Sequence, residues 1–386
     1  MEYYIFLSLL AVSSLLMVLY IVLPAAFGPG KTSIKMPESV FPRVTILKPI
    51  KDIDDGLEDN LKSFFTLDYP DYDIVFGVDT LDDPCVAVIE KARKAYPSCV
   101  VRIVETGVSD TVNPKVDKLA KMDEGCGSPL LWVSDSNTRV GSDALKRLAA
   151  EYLKSGSKIV FSPIRGLGSG TLGSMMANSY LNIFVSGNIL GAWVLCRKAI
   201  IVGKSMLIER ETLEKLGGFA AFNCYLAEDY MMGEIYREKG FHISTNYTWI
   251  TNYSSTASVM TFYRRMERWA KMRMRIDPFA YSFEIFANPL AIAFLSVFFL
   301  REAGLALFAA AFVFQLMIEY NSLVLVNNTD HTSLKVLALC PVAMLVKDAI
   351  LLYVYIEAFF SRSVSWHGRE IKIGSKSMIE AAEGNK

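Results

Sequence analysis

Acidic residues stand at three points of the sequence where a strand is predicted to end or a helix to begin. Asp83 lies in "DDP", Asp135 in "VSDSN" and Asp229 in "AEDY". Carboxylate oxygens are the ligands that hard divalent cations such as Mg²⁺ prefer. A carboxylate within hydrogen-bonding distance of a hydroxyl group can also take its proton as a general base. These residues are therefore candidates for a site, with Asp135 suited to a cation and Asp229 to a base.

Each of the three acids also has a purely structural interpretation. Asp83 can cap a helix, because Pro84 would then stand at the favoured first helical position. Asp135 can form the turn after its strand. Asp229 can open a helix whose dipole favours a carboxylate at that end. Taken one at a time, the residues leave both interpretations open.

A dense run of cations precedes an uncharged segment near the C-terminus. The stretch "FYRRMERWAKMRMRIDPF" (262–279) contains Trp269, and between Arg264 and Arg275 it has a single acid, Glu267; the run 285–300 that follows has no charge. Such a pattern is typical of the cytoplasmic flank of a membrane segment. We expect three of its cations to contact lipid headgroups, at about 1 kcal/mol each near an anionic surface. These three are Lys271, Arg273 and Arg275.

Strands and helices alternate between residues 41 and 255. Short β-branched and apolar runs are separated by segments with helical spacing of their apolar residues, which predicts an α/β fold with a mostly parallel sheet and helices on both faces. Ligands of such sheets bind beyond the carboxyl ends of the strands, where Asp83 and Asp135 are predicted to stand. The predicted strands are 43–50, 72–80, 99–106, 129–137 and 157–164.

Apolar segments flank this region, and the mean hydropathy of the chain is +0.30. The run 5–23 is long enough to span a bilayer, which takes about 20 residues, and we expect a retained anchor rather than a cleaved signal peptide. Three further apolar segments follow the basic stretch, and the first of them is short. The resulting division is 1–30 for the anchor, 41–255 for the α/β domain, 256–284 for a basic interfacial segment, 285–361 for the C-terminal apolar helices and 362–386 for the tail.

Cations next to these segments indicate orientation, because cytoplasmic flanks are enriched in Lys and Arg. Lys31, Lys35, Arg43 and Lys48 follow the first apolar segment, so the α/β domain is expected on the cytoplasmic side. The tail is also basic. A cytoplasmic tail needs an even number of C-terminal crossings, which conflicts with three apolar segments.

Composition excludes few functions. The formal net charge is zero, so it gives no indication of a nucleic-acid partner, and none is expected. Six cysteines without a CxxC pair and only three histidines do not indicate a zinc site.

In order along the chain, the acids and the basic stretch resemble a known signature. Asp83, Asp135, Asp229 and then "RRMERW" (264–269) match the D, D, D, (Q/R)xxRW pattern of membrane glycosyltransferases with the GT-A fold. The chain most resembles the ceramide glucosyltransferase family, which includes bacterial relatives acting on hopanoid-type lipids. Supporting stretches are "NPKVDKL", "AEDYMM" and "SVSWHGREIKI".

The resemblance implies an integral membrane enzyme with a UDP-sugar donor, a lipid acceptor and Mg²⁺ or Mn²⁺ as cofactor. It would transfer one sugar, glucose, with inversion to a lipid such as ceramide at the cytoplasmic face of a bacterial inner membrane or of the Golgi or ER. Asp229 would be the catalytic base and Asp135 the metal ligand. The donor-binding residues would be Asp83, Lys115, Asp135, Arg265, Arg268 and Trp269.

Two features leave these roles open. The sequence has Asp-Ser-Asn where an Asp-x-Asp motif would supply a second carboxylate, so the second ligand is Asn137 or another group. Lys115 is alternatively a solvated lysine.

Other functions also fit the pattern. The lipid acceptor can be a hopanoid or a diacylglycerol, and N-acetylglucosamine is an alternative to glucose. A processive polysaccharide synthase shares the signature, although three C-terminal segments are few for a polymer channel. A non-catalytic membrane scaffold on the same fold is a further alternative.

Overall fold

The computed structural model describes residues 1–27, 37–327, 333–366 and 369–381. Lys31 and Lys35, which were expected to flank the anchor, lie outside the described residues. The chain divides into two compact units. The first, here called the α/β unit, comprises Phe27–Arg165 and Ala192–Tyr253. The second, here called the helical unit, comprises Met1–Ala26, Gly166–Gly191 and Ser254–Lys386.

The α/β unit is built on a seven-stranded sheet with the order β3-β2-β1-β4-β8-β6-β9. β1 pairs in parallel with β2 and β4, and β2 pairs in parallel with β3, as predicted. β8 is antiparallel to both β4 and β6. The strands are β1 (Val44–Pro49), β2 (Tyr72–Val78), β3 (Val100–Glu105), β4 (Leu130–Val133), β5 (Thr138–Arg139), β6 (Ile159–Phe161), β7 (Ile164–Leu167), β8 (Met206–Glu209), β9 (Ile243–Ser244) and β10 (Ile250–Tyr253). β5 and β10 pair antiparallel in a second, small sheet that also contains β7.

Helices cover this sheet through apolar faces that the sequence indicated. In α2 the side chains of Leu61, Phe64 and Phe65 are buried, and the ring of Phe64 lies 5.3 Å from that of Trp132 on β4. The helices of the unit are α2 (Leu57–Phe65), α3 (Pro84–Ala95), α4 (Pro114–Asp123), α5 (Ala144–Ser155), α8 (Arg210–Lys215) and α9 (Glu228–Glu238). This packing fixes the carboxyl ends of β2 and β4, which precede Asp83 and Asp135.

The helical unit contains most of the long apolar helices. Its elements are α1 (Glu2–Ala26), α6 (Leu172–Tyr180), a π-helical turn (Leu181–Val185), the first part of α7 (Ser186–Cys196), α10 (Val259–Ile276), α11 (Pro278–Ser282), α12 (Pro289–Leu300), α13 (Glu302–Asn327) and α14 (Leu334–Phe360). A small antiparallel sheet of β11 (Ser363–Trp366), β12 (Arg369–Ile373) and β13 (Ile379–Ala381) follows.

Four helices in the described part of the chain are long and apolar enough to cross a membrane: Glu2–Ala26, Leu172–Cys196, Glu302–Leu323 and Leu334–Phe360. Three of them were expected from the sequence. Leu172–Cys196 was not, because polar residues such as Ser174 and Asn178 lower its mean hydropathy to 1.4. The apolar α12 has only 12 residues, in agreement with the short segment that was expected.

The basic stretch forms α10, and its cations are not all exposed. Lys271 was expected at the headgroups, but only 2% of its side chain is exposed, so that expectation is wrong. Its Nζ lies 2.6 Å from Glu267 Oε1 and 2.8 Å from Glu357 Oε1. Arg273 likewise pairs with Glu284, at 2.8 Å from Nε to Oε1. Both cations therefore bind acids inside the helical unit.

We expect Lys271→Met to destabilise the helical unit by about 3 kcal/mol, because removing one partner leaves two carboxylates without their cation. Thermal unfolding in detergent measures the loss. Lys335→Met, at an exposed position near the start of α14, is the matched control and should leave the unfolding temperature unchanged. Equal unfolding temperatures for the two variants would show that the buried ion pairs contribute nothing.

Candidate active site

Asp135 is held between two lysines at the carboxyl end of β4. Its Oδ1 lies 3.0 Å from Lys115 Nζ, and its Oδ2 lies 3.1 Å from Lys204 Nζ. Lys204 Nζ also donates to Asn137 Oδ1 at 2.7 Å. Burial alone would raise the pKa of Asp135, but the two ammonium groups outweigh it and hold the pKa below its usual range. The carboxylate is therefore ionised at every physiological pH.

Lys115 contacts both Asp135 and Glu228, and Glu228 directly precedes Asp229 in the sequence. Its Nζ lies 2.9 Å from Glu228 Oε1, at the start of α9, as well as next to Asp135. Burial would lower the pKa of Lys115, but Asp135 and Glu228 raise it above its usual value. The alternative of a solvated lysine is therefore wrong.

Asp229 follows Glu228 and accepts two backbone hydrogen bonds. The N–H of Gly203 donates to its Oδ2 at 2.5 Å, and the N–H of Tyr230 donates to its Oδ1 at 2.7 Å. Burial, with the neighbouring charge of Glu228, raises the pKa of Asp229 to about 6, while Lys115 opposes the rise. A carboxylate with a pKa near the working pH is suited to accept and release a proton.

A further lysine lies beneath Asp135. Lys48, on β1, is fully buried, and its Nζ donates to the carbonyl oxygen of Asp135 at 2.8 Å. The same Nζ lies 3.6 Å from the ring centroid of Phe64. Burial lowers the pKa of Lys48 to about 7. The expectation that Lys48 flanks the membrane is therefore wrong, because a side chain in the sheet core cannot reach lipid.

Asp83 is the N-cap of α3, as its structural interpretation proposed. Its Oδ1 accepts from the N–H of Cys85 at 2.9 Å, and its Oδ2 accepts from the N–H of Asp52 at 3.1 Å. Burial would raise the pKa of Asp83, but these backbone hydrogen bonds lower it. Asp83 thus fixes the segment after β1 against the start of α3, and its contact with a donor stays a prediction.

Arg265, Arg268 and Trp269 belong to a different part of the fold. All three lie on α10 in the helical unit, where they are partly buried. The ring of Trp269 lies 6.2 Å from that of Tyr180. The structure therefore brings together Lys115, Asp135 and the acids of α9, while the donor-binding role of the α10 residues stays a prediction.

Sequence analysis missed Lys204 as a site residue and assigned Lys48 to the membrane flank instead of to the site. Lys204 precedes β8 in "VGKS" and reaches Asp135 across 69 positions of the chain. An isolated Lys after Gly has no local signal. Because β8 is antiparallel to β4, the loop before β8 lies at the same edge of the sheet as the carboxyl end of β4.

The donor set suits a divalent cation that arrives with a diphosphate. Asp135 supplies one carboxylate and Asn137 one amide oxygen, and both contact Lys204. Among the described residues there is no group of three or more His, Cys, Asp or Glu that could hold a metal by itself. Mg²⁺ is commonly bound through one or two carboxylates plus substrate phosphates, so these residues fit such a cation.

Comparison with known sequences gives one family. The family model described as "Glycosyl transferase family 21" matches residues 6–379. Two relatives from Caenorhabditis elegans are "Ceramide glucosyltransferase 3", 28% identical over 62% of this chain, and "Ceramide glucosyltransferase 1", 27% identical over 63%. Each alignment covers 52% of the relative, so the chain spans about half the length of the curated relatives it matches.

Comparison with solved structures supports the fold. The chain is similar to a structure described as "Mannosyltransferase PcManGT from Pyrobaculum calidifontis in complex with GDP-Man and Mn2+", with a TM-score of 0.53 and 14% identity. The alignment covers 93% of this chain and 98% of that one. The predicted GT-A fold with associated membrane helices is thereby confirmed.

Gly203 tests the geometry of the site, because a Cβ there would lie 2.6 Å from Lys115 Nζ and 3.1 Å from Asp229 Oδ2. We expect Gly203→Ala to displace Asp229 and to lower turnover by about 10²-fold, the loss that a misplacement of about 1 Å can cause. The unfolding temperature should change little. The matched control is Gly127→Ala, whose Cβ would meet nothing within 4 Å. Wild-type turnover in both variants would mean that this arrangement of Lys115 and Asp229 is not required.

Proposed function

Because the chain belongs to glycosyl transferase family 21, we propose that it transfers one glucose from a UDP-sugar to a hydroxyl group of a ceramide-type lipid, with inversion. The observation that carries this proposal is the contact of Lys115 with both Asp135 and Glu228, next to Asp229. It combines a site for a diphosphate with a candidate base on one side of a GT-A sheet.

The names of the relatives support the lipid as acceptor. Similar curated proteins from Caenorhabditis elegans and Komagataella phaffii are called ceramide glucosyltransferases. The protein from Komagataella phaffii is 33% identical over 36% of this chain. The long apolar helices of the helical unit are compatible with such an acceptor. Hopanoids and diacylglycerols remain alternatives, and a processive synthase or a non-catalytic scaffold has no observation in its favour.

The proposed mechanism begins with the donor diphosphate bound next to Lys115 and Lys204. Lys115 and Lys204 have cationic groups at the carboxyl ends of the strands, where the leaving diphosphate gains negative charge during transfer. Fixed cations in a site that excludes water stabilise such charge. Lys48 holds the backbone of Asp135 from beneath, so the turn that presents Asp135 and Asn137 does not need to reorganise.

Asp229 is the proposed base. Its two backbone hydrogen bonds orient the carboxylate, and its raised pKa lets it accept the proton of the acceptor hydroxyl while that oxygen attacks the anomeric carbon. Attack from the face opposite the departing diphosphate inverts the configuration at that carbon.

Asp135 and Asn137 would hold Mg²⁺ or Mn²⁺ together with the donor phosphates. Such a cation supplies Lewis-acid stabilisation of the leaving diphosphate. Arg265, Arg268 and Trp269 are proposed to complete the donor and acceptor sites. We also propose that the α/β domain (41–255) is cytoplasmic, in a bacterial inner membrane or in the Golgi or ER.

The experiment that tests the function is transfer from UDP-[¹³C]glucose by the purified full-length protein in nanodiscs, with mass spectrometry of the lipids. A ceramide supplied in the nanodisc should gain one labelled hexose, and Asp229→Asn should form about 10²–10⁴-fold less product while still binding UDP. Long polymer in the product would favour a synthase. Absence of any labelled lipid with ceramide, hopanoid or diacylglycerol would contradict the proposal.

The pKa of Asp229 predicts the pH profile. Since Asp229 accepts a proton only when ionised, turnover should rise with pH through about 6 and level off above it. Glu228→Gln removes a neighbouring negative charge and should move this limb to lower pH. Initial rates between pH 4.5 and pH 8 measure both profiles. A limb that stays in place in Glu228→Gln, or a flat wild-type profile, would assign the base elsewhere.

Removal of divalent cations should lower turnover, because Lys115 and Lys204 are already paired with Asp135 and cannot alone neutralise the leaving diphosphate. The measurement is the rate with EDTA, followed by addition of excess Mg²⁺ or Mn²⁺. We expect loss and recovery. Full activity of metal-free protein in chelator would show that Lys115 and Lys204 suffice.

Arg268→Lys tests the proposed clamp on α10. Lysine keeps the charge but loses the planar fork that can hold two phosphate oxygens, so turnover should fall at least about tenfold. Arg264→Lys, one turn earlier at an exposed position, is the matched control and should be silent. Arg273 is unsuitable as a control because it pairs with Glu284. Similar rates in the two variants would remove Arg268 from the site.

A further inference from the structure

A cavity lies wholly within the helical unit. It contains about 750 Å³ of space not filled by protein atoms, part of it open to the surroundings. Its walls come from α1, the π-helical turn and α10 to α14, with apolar and aromatic side chains such as Met17, Phe184, Ala291 and Leu351. Over their whole length, α1 and α14 are long and apolar enough to cross a membrane, and so is the part of α13 from Glu302 to Leu323. A cavity with such walls suits a lipid better than a sugar.

Among the described residues that line the cavity, two polar groups lack a hydrogen-bond partner: the hydroxyl of Tyr180 and the side-chain oxygen of Gln315. Gln315, on α13, is 1% exposed, and its Nε2 donates to Asp348 Oδ2. Among the described residues, no donor lies within hydrogen-bonding distance of Gln315 Oε1. A buried acceptor without a donor is destabilising, so the oxygen favours any occupant that brings an N–H or O–H group.

The nearby cations already have partners. Lys347 forms an ion pair with Glu319 and donates to Ser179 Oγ at 3.0 Å. Arg273 Nε contacts both carboxylate oxygens of Glu284, at 2.8 and 3.1 Å.

The charged side chains that line the cavity balance in sign. They are two cations, Arg273 and Lys347, and two anions, Glu284 and Asp348. No surplus positive charge is present to bind a phosphate, so a phospholipid headgroup or a nucleotide is disfavoured. The occupant that fits is a neutral lipid with a polar headgroup that donates hydrogen bonds.

We propose that this cavity binds the headgroup of the acceptor lipid, and that Gln315 Oε1 accepts a hydrogen bond from a donor other than the hydroxyl that receives the sugar. The proposal rests on the proposed function, since it assumes a lipid acceptor. A diacylglycerol has a single hydroxyl group, which the reaction uses. An N-acyl amino-diol of the ceramide type has an amide N–H and a second hydroxyl in addition, so one donor remains for Gln315.

The test is equilibrium binding of two probes to the full-length protein in nanodiscs, without UDP-sugar. The probes are tritiated N-hexanoyl sphingosine and tritiated 1,2-dioctanoylglycerol. The sphingosine derivative should bind more tightly. Gln315→Met should weaken its binding about 3- to 10-fold, the range expected for one hydrogen bond, and leave the glycerol probe unchanged. Ser296→Ala, a buried position on α12 outside the cavity wall, is the control and should alter neither probe.

Gln315→Met also removes the donor to Asp348, so the probes are varied as well. The N-methyl and 3-O-methyl derivatives of N-hexanoyl sphingosine each lack one donor. In the wild-type protein one of them should bind about 3- to 10-fold more weakly than the parent, and that difference should vanish in Gln315→Met. If neither derivative binds more weakly to the wild-type protein, if no such difference vanishes in the variant, or if the glycerol probe binds as tightly as the parent, the proposal is overturned.

A second variant leaves Gln315 in place. Ala291→Leu narrows the cavity and should weaken binding of the sphingosine probe, and unchanged binding would also overturn the proposal. Failure of the cavity and failure of the function are distinguishable. Sugar transfer to a lipid that is insensitive to both variants rejects the cavity alone. Absence of transfer to any lipid rejects the function.

Discussion

The ion pairs of Asp135 with Lys115 and Lys204 are the contacts on which the candidate site depends. Asp135 follows β4, Lys115 lies on α4 and Lys204 precedes β8, so one carboxylate ties three elements together at one edge of the sheet. Because these side chains are partly exposed, breaking one pair costs less than the about 3–5 kcal/mol of a fully buried pair, but it still leaves a charge without its partner. The loops here are therefore less free to move than surface loops usually are.

Electrostatic interactions connect Asp135 to the acids at the start of α9. The ammonium group of Lys115 forms ion pairs with both Asp135 and Glu228. Burial, together with the charge of Glu228, raises the pKa of Asp229. Lys48 holds the backbone of Asp135 from the opposite side. The proton affinity of the proposed base and the position of the proposed cation ligand thus depend on the same lysine, so a substitution at Lys115 would not separate donor binding from proton transfer.

Local patterns in the sequence predicted the strands, helices and helix caps. The ion pairs between residues far apart in the chain could not be predicted from such patterns. The parallel strands and the N-cap Asp83 before Pro84 follow from residues that are neighbours in sequence. Lys204 reaches Asp135 over 69 positions, and Lys271 reaches Glu357 over 86. A lysine beside an apolar run has the same local pattern whether it meets lipid headgroups or a distant carboxylate. The role of Lys271 therefore could not be predicted from its surroundings in sequence.

The pairing of β6 with β8 limits how the chain can be threaded through a bilayer. These strands stand on either side of the apolar segment Leu172–Cys196 and pair antiparallel in one sheet. A single crossing by that segment would leave the two strands on opposite sides of the membrane, which their pairing excludes. The 12 residues of α12 span about 18 Å, well short of about 30 Å of hydrocarbon. If α13 and α14 each cross and α12 does not, the described part of the chain after α10 makes an even number of crossings, which would return the tail to the side from which α10 departs.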